Sequence, residues 1–199
     1  RAVVDHGHEI ACMILEPINF DAGGIEPLPG FLEGLRDLTR RHGIVLLFDE
    51  ILSGFRTGPG GAQVYYGVTP DLATIGKALG GGTALSAFGG RREIMGVVSP
   101  LGPAVHSGTY NGHLIPVLAA RAFLAEIAKP DFYPHLDALA ARLYPALDEL
   151  FARSGVPGRV QGVGCRFGLY FGEASRGPVT NWREAARHDK ALARRFFGA

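Results

Sequence analysis

The chain has 199 residues, 47% of them hydrophobic and 20% charged, with 20 Lys+Arg against 19 Asp+Glu. That is enough apolar material for one sizeable core or a core plus a small lobe, and the even charge balance offers no field to recruit nucleic acid or an anionic membrane surface. The longest apolar runs fall far short of the ~20 residues that span a bilayer and no signal-peptide pattern is present, so a soluble, cytoplasmic protein is expected. Cys12 and Cys165 each sit in a hydrophobic run, which suits buried thiols better than a disulfide framework. Arg1 stands where Met would open a complete chain, and the last helical pattern simply stops, so both ends read as cut.

In chain order, residues 10–15 form a short apolar run closed by Glu16-Pro17, read as a buried parallel strand. Residues 29–42 follow as an amphipathic helix, with Phe31, Leu32, Leu35 and Leu38 apolar and Gly43 as its C-cap. A second, β-branched-rich strand is predicted over 44–48, closed by Asp49-Glu50. This strand, helix, strand order predicts an α/β layer with helices covering the sheet. Further short strands are predicted at 72–75 and 86–89, and an Ala-rich helix over 114–128, apolar on most faces, is expected to pack inside the same domain. The character changes after Lys129-Pro130. An amphipathic helix over 136–151, a Gly/Pro-punctuated turn at 155–158 and strand-like runs to Phe171 announce another lobe, and 181–197 reads as one charged amphipathic helix.

Three positions invite chemistry. Asp49 follows a buried strand, where ligands of open α/β sheets bind; its carboxylate suits a cationic ring nitrogen or a cap on the next turn. Lys77 has apolar and glycine neighbours and no adjacent acid, the setting of a desolvated nucleophilic amine, with an exposed loop lysine as the plain alternative. Thr109, in His106-Ser107-Gly108-Thr109-Tyr110-Asn111-Gly112 before the long helix, suits a phosphate at a helix N-terminus, or merely a turn or N-cap at Asn111-Gly112. Glycine, 29 residues in all, gathers at 58–61, 76, 80–82 and 89–90, as close backbone approach requires. Other motifs fail. A Walker A loop would need Gly and Ser or Thr where Asp71 and Ala78 stand, and a dinucleotide fingerprint would need Gly or Ala in place of Leu85. The seven histidines, His6 and His8 among them, show no metal spacing, and there is no Gly-x-Ser-x-Gly elbow.

Read together, the run from Leu46 through Asp49-Glu50-Ile51 to Arg56, then Pro70-Asp71-Leu72 leading to Lys77, then Gly80-Gly81-Gly82, resemble the class III aminotransferases in order and spacing. Glu16-Pro17 upstream and Ser107-Gly108-Thr109 downstream extend the resemblance to about the whole chain. Gly60-Gly61-Ala62-Gln63 and the stretches 65–71 and 88–95 look most like the glutamate-1-semialdehyde aminomutase branch.

The resemblance implies an incomplete pyridoxal phosphate (PLP) transferase large domain over 1–129, a mostly parallel sheet with covering helices, and the start of a small C-terminal α/β lobe over 130–199. Lys77 would carry PLP as a Schiff base and shuttle the substrate's α-proton, while Asp49 would keep the pyridine nitrogen protonated. Ile51 would pack on the ring, and Gly108 and Thr109 would reach the phosphate of a neighbouring subunit, which implies a homodimer. Asp21 stands where the aminomutase branch has an Asn donating to the cofactor's phenolic oxygen, and an ionised Asp cannot donate. His113 and Tyr110 also depart from the family pattern. The family's second phosphate loop and ring-stacking aromatic have no counterpart. The implied activity is transfer of an amino group between an amino acid or amine and an oxo or aldehyde acceptor. Intramolecular transfer of the aminomutase kind is the alternative, and a non-catalytic relative or inactive fragment the second; no metal, nucleic acid or membrane is called for.

Overall fold

The computed structural model describes residues 2–198, which fall into two units. One takes in the chain up to Pro17 together with Pro29–Lys129; the other takes in Ile18–Leu28 and the chain from Pro130 onward.

The first unit is built on a four-stranded sheet in the order β1 (Cys12–Leu15), β2 (Val45–Glu50), β3 (Leu72–Ile75) and β4 (Ala87–Gly90). The first three strands run parallel, with Leu15 beside Phe48 and Asp49 beside Thr74; β4 returns antiparallel. A short helix, α1 (Ala2–His6), precedes the sheet, and α2 (Phe31–His42) makes the crossover from β1 to β2. Leu32 of α2 packs with Leu46, Phe48 and Val68, and Leu15, Leu35 and Tyr66 close the cluster. Phe31, expected on that apolar face, is instead 53% exposed. The helix stops at Gly43, whose φ of 67° returns its N–H to Arg40 and Thr39. Two short helices, α3 (Gly61–Tyr65) and α4 (Arg92–Met95), follow β2 and β4.

Asp71 ties these layers together. Its Oδ2 accepts from Arg36 of α2 and from the Leu46 amide of β2, both at 2.8 Å, and its Oδ1 from Arg91 after β4 at 3.2 Å. Burial pushes this carboxyl up, but the Leu46 N–H and the two guanidinium groups outweigh it and hold Asp71 below the usual carboxylate range.

Helix α5 (Leu114–Ile127) overturns one expectation. It is not enclosed: Ala120 and Ile127 are its buried residues, while Leu114, Ile115 and Leu118 are 66%, 65% and 50% exposed. A helix apolar on most faces carries no contrast to tell which face is covered. Cys12 is likewise exposed and Cys165 half-buried, where buried thiols were expected. Cys12 shares its face of β1 with Ile14, itself 61% exposed, and no described residue covers that face.

The second unit contains α6 (Phe132–Ser154), the hairpin β5 (Gly158–Val163) and β6 (Arg166–Phe171), α7 (Trp182–Ala185) and α8 (Lys190–Phe197). The single helix expected over 181–197 is two, because Asn181 caps the Glu184 N–H and Asp189 caps those of Ala191 and Leu192, so the chain restarts at 189. Residues 18–28, which the sequence reading kept with 1–129, group here. Ala22 and Ile25 pack with Tyr170, Ala174, Val179 and Ala185, the Tyr170 hydroxyl donates to the Ala22 carbonyl, and Gln161 Nε2 donates to the carbonyls of Gly24 and Val179. Phe151, Phe171 and Ala193 form a second cluster. Among the described residues no helix is long and apolar enough to cross a membrane.

Asp71→Asn leaves Arg36 buried without its counter-charge and should cost about 3 kcal/mol in urea unfolding at neutral pH. A depressed folded carboxyl contributes stability in full above its unfolded value of ~3.9 and loses it as pH falls through the folded one. The gap between native and variant chains should therefore narrow below about pH 4.

Candidate functional site

The carboxyl ends of β2 and β3 lie side by side. At the first, Asp49 Oδ1 accepts from the Ile51 amide at 3.0 Å and from the Thr74 hydroxyl at 3.3 Å. The turn cap read as an alternative in the sequence is therefore real, and Oδ2 lies outside both bonds. At the second, Gly76 leads directly into Lys77, the first residue of a tight turn over Lys77–Gly80. Lys77 has a φ of 44°, and Phe55, at 64°, is the other non-glycine residue with positive φ among the described residues. L-residues adopt this conformation at a cost of ~1–2 kcal/mol, so the surroundings must impose it.

Those surroundings are visible. The Leu79 amide donates to Gly76 and the Gly81 amide to Ala78, each at 3.0 Å, and the Thr83 hydroxyl donates to Gly80 at 2.7 Å. Gly81, at φ 56°, fits against α5, where a Cβ would stand 2.9 Å from the Ala119 carbonyl oxygen. Phe55 meets Phe123 of the same helix edge-on at 5.5 Å. The glycines noted in the sequence thus permit α5 to press on the lysine turn, as close backbone approach requires.

Lys77 itself is exposed, so its apolar sequence neighbours do not bury it among the described residues. Ile51 reaches toward the same place: a Cβ on Gly76 would lie 3.0 Å from its Cδ1. The structure thus brings Asp49, Ile51 and Lys77 together at the ends of two strands. Beside them a cleft of about 570 Å³ is lined by Ile51, Thr74, Leu85, Phe88, His106 and Tyr110, among others. That volume lies within the usual range for small-molecule sites. Phe88 and His106 meet edge-on at 5.1 Å in its lining.

Gly108 and Thr109 are exposed, with Gly108 accepting from the Asn111 amide at 3.0 Å. Helix α5 starts at Leu114 with His113 at its N-cap and no side-chain cap, so the cap falls at neither Asn111 nor Gly112. Asp21 lies in the other unit, exposed, in a turn where Asn19 Oδ1 accepts from the Ala22 amide at 2.9 Å. His6 and His8 are exposed beside Glu9, and no group of metal-ligating side chains occurs among the described residues.

Glu50 escaped the sequence reading. It is 1% exposed and faces the side of β2 opposite Asp49, where it accepts from Ser53, Ala62 and Gln63. Its signal was present: an acid in register with Leu46 and Phe48, the buried positions of the strand.

The Aminotransferase class-III family model matches residues 2–189. Among solved structures, the chain is similar to a β-phenylalanine aminotransferase from Variovorax paradoxus, with 33% identity and a TM-score of 0.86 over 97% of this chain and 44% of that one. It is similar to an ω-transaminase from Sphaerobacter thermophilus, at 33% identity and a TM-score of 0.83, over 98% and 44%. A glutamate-1-semialdehyde aminomutase from Pseudomonas aeruginosa PAO1 in complex with PMP matches at 28% identity and a TM-score of 0.79, over 96% and 43%. The chain spans less than half the length of each. On the family match and the identity it shares over nearly all of its length, the chain belongs to the class III aminotransferases.

Proposed function

We propose that the chain is the lysine-bearing part of a PLP-dependent transaminase that moves an amino group from an amino acid or amine to an oxo or aldehyde acceptor. The observation that carries this reading is the placement of Asp49 and Lys77 at the carboxyl ends of neighbouring parallel strands, with Lys77 exposed and held at positive φ. The donor set fits PLP: a primary amine for its carbonyl carbon, a carboxylate with Oδ2 uncommitted for its ring nitrogen, and Ile51 as an apolar wall between them. Bound PLP would supply an electron sink for the pair left on the substrate's α-carbon when its proton is removed.

The chain's own residues would do the rest. Lys77 Nζ would hold the group covalently until the substrate's amine displaces it; the freed amine would then take the α-proton and deliver it to the cofactor's C4′ carbon. Asp49 would keep a proton on the ring nitrogen through a charge-assisted hydrogen bond, while Thr74 and the Ile51 amide fix its carboxylate through Oδ1. The Thr109 hydroxyl and the Gly108 backbone would serve the phosphate of a neighbouring subunit in a homodimer. The uncovered apolar surface of α5 and Tyr110, 78% exposed, supports such a partner. A reducing, cytoplasmic setting belongs to the same proposal, supported by two free thiols.

Lys77→Ala in the full-length enzyme should abolish the visible band of lysine-bound PLP and its fixation by borohydride, and lower turnover by at least ~10²-fold. Retention of a borohydride-fixed label in that variant would refute the assignment of the lysine. The mode of transfer is read separately: a transaminase should stop when the oxo acceptor is withheld, whereas isomerisation without acceptor would favour the aminomutase reading that the Pseudomonas relative suggests.

Thr109→Ala should weaken PLP binding about tenfold, the worth of one hydrogen bond to a charged group. Mixed dimers of a Lys77→Ala subunit with a Thr109→Ala subunit test whose cofactor Thr109 serves. Service across the interface leaves one intact site per mixed dimer and restores about half of native activity at limiting PLP. Service within a subunit leaves none.

A further inference from the structure

Glu50 ends β2 with its side chain in the core, 1% exposed, while the adjacent Asp49 projects to the other face. Its Oε2 accepts from the Ala62 amide at 2.6 Å and the Ser53 hydroxyl at 3.1 Å; its Oε1 accepts from the Gln63 amide and from Gln63 Nε2, both at 3.2 Å. All four partners donate, and an acceptor-only carboxylate answers all four. The backbone is shaped around it. Gly61 has a φ of 65°, and a Cβ there would collide with Oε2; a Cβ on Gly54 would stand 2.6 Å from the Glu50 carbonyl oxygen. The Gly54 amide donates to that carbonyl at 2.9 Å.

A buried carboxylate is costly unless its lone pairs are filled, and this one is filled entirely by the segment that follows it. Residues 51–63 are thereby folded back on the end of the strand. That segment carries Ile51, which packs on Gly76 beside Lys77, and Phe55, which packs on Phe123. The Ile51 amide is in turn one of the two donors that orient Asp49.

We infer that Glu50 is a positioning residue for Asp49: from the buried face of β2 it locks residues 51–63 and so fixes the direction in which the Asp49 carboxylate meets the cofactor's ring nitrogen. This rests on the reading of Asp49 proposed above. Glu50 touches neither substrate nor cofactor, and its effect is exerted through the Ile51 amide and the rotation of the strand end.

The test uses the full-length, PLP-loaded enzyme, with the pH titration of its visible band as the readout and Asp49→Asn as the reference. Glu50→Gln replaces one acceptor oxygen by a donor, which then faces either the Ala62 amide and the Ser53 hydroxyl or the two Gln63 donors. PLP should stay bound, the titration midpoint should move in the direction set by Asp49→Asn but by less, and kcat should fall by about ten- to a hundredfold, as for a catalytic group displaced by a fraction of an ångström, with KM little changed. Ser53→Ala removes a single donor and should give a smaller step in the same direction; it decides the matter if Glu50→Gln does not fold. Asp71→Asn, destabilised at the amino end of β3, should leave the midpoint where it is. An unmoved midpoint in Glu50→Gln, or in Ser53→Ala where the former does not fold, overturns the positioning role when Asp49→Asn moves it. If Asp49→Asn leaves the midpoint unmoved, the role falls together with the assignment of Asp49.

Discussion

Parallel pairing of β2 with β3 is the constraint on which everything at the site depends. Register sets Asp49 against Thr74, so the acid's orienting hydroxyl comes from the neighbouring strand, three residues before the lysine. Parallel strands also end together, which is why a carboxylate and an amine far apart in the chain emerge on one edge. Had the strands run antiparallel, as β3 and β4 do, those ends would lie at opposite sides of the sheet.

Two buried acids hold that pairing from its two ends. Asp71 precedes β3 and binds the Leu46 amide, Arg36 and Arg91, joining helix, central strand and edge at the amino end. Glu50 ends β2 and gathers the following segment at the carboxyl end. The difference lies in their partners. Asp71 has two cations, one of them buried with it, and serves chiefly cohesion; Glu50 has neutral donors drawn from one stretch of chain, and serves shape.

Much of this was legible in the sequence. The strands at 44–48 and 72–75, the crossover helix and its Gly43 stop followed from periodicity and capping, because those residues bury one face and expose another. As candidates, Asp49 was legible through its place at the end of a buried strand, Lys77 through its apolar and glycine neighbours, and the two together through the order of neighbouring motifs. Other features were not. The conformation of Lys77 is imposed by α5 and by glycines that sequence alone cannot assign to a partner. The exposure of α5 was hidden because a helix apolar all round reads as core. The break at Asp189 was hidden because the residues on both sides keep helical periodicity and only the cap interrupts them. Glu50 was passed over as part of a strand-ending acidic pair, although the period of two places it among Leu46 and Phe48 rather than with Asp49.

The grouping of Ile18–Leu28 with the later part of the chain bears on how the molecule is made. The bond from Tyr170 to Ala22 spans 148 residues of sequence, so this contact closes only after all of the intervening chain has been synthesised. Closing so long a loop is slow, although its entropic cost grows only with the logarithm of its length. Until then Ala22 and Ile25 have no core to enter, and the first unit must fold around an excursion that belongs elsewhere. The two units are consequently interleaved along the chain: a single proteolytic cut at Lys129-Pro130 would sever the backbone without releasing the second unit whole, because its earliest segment stays covalently bound to the first.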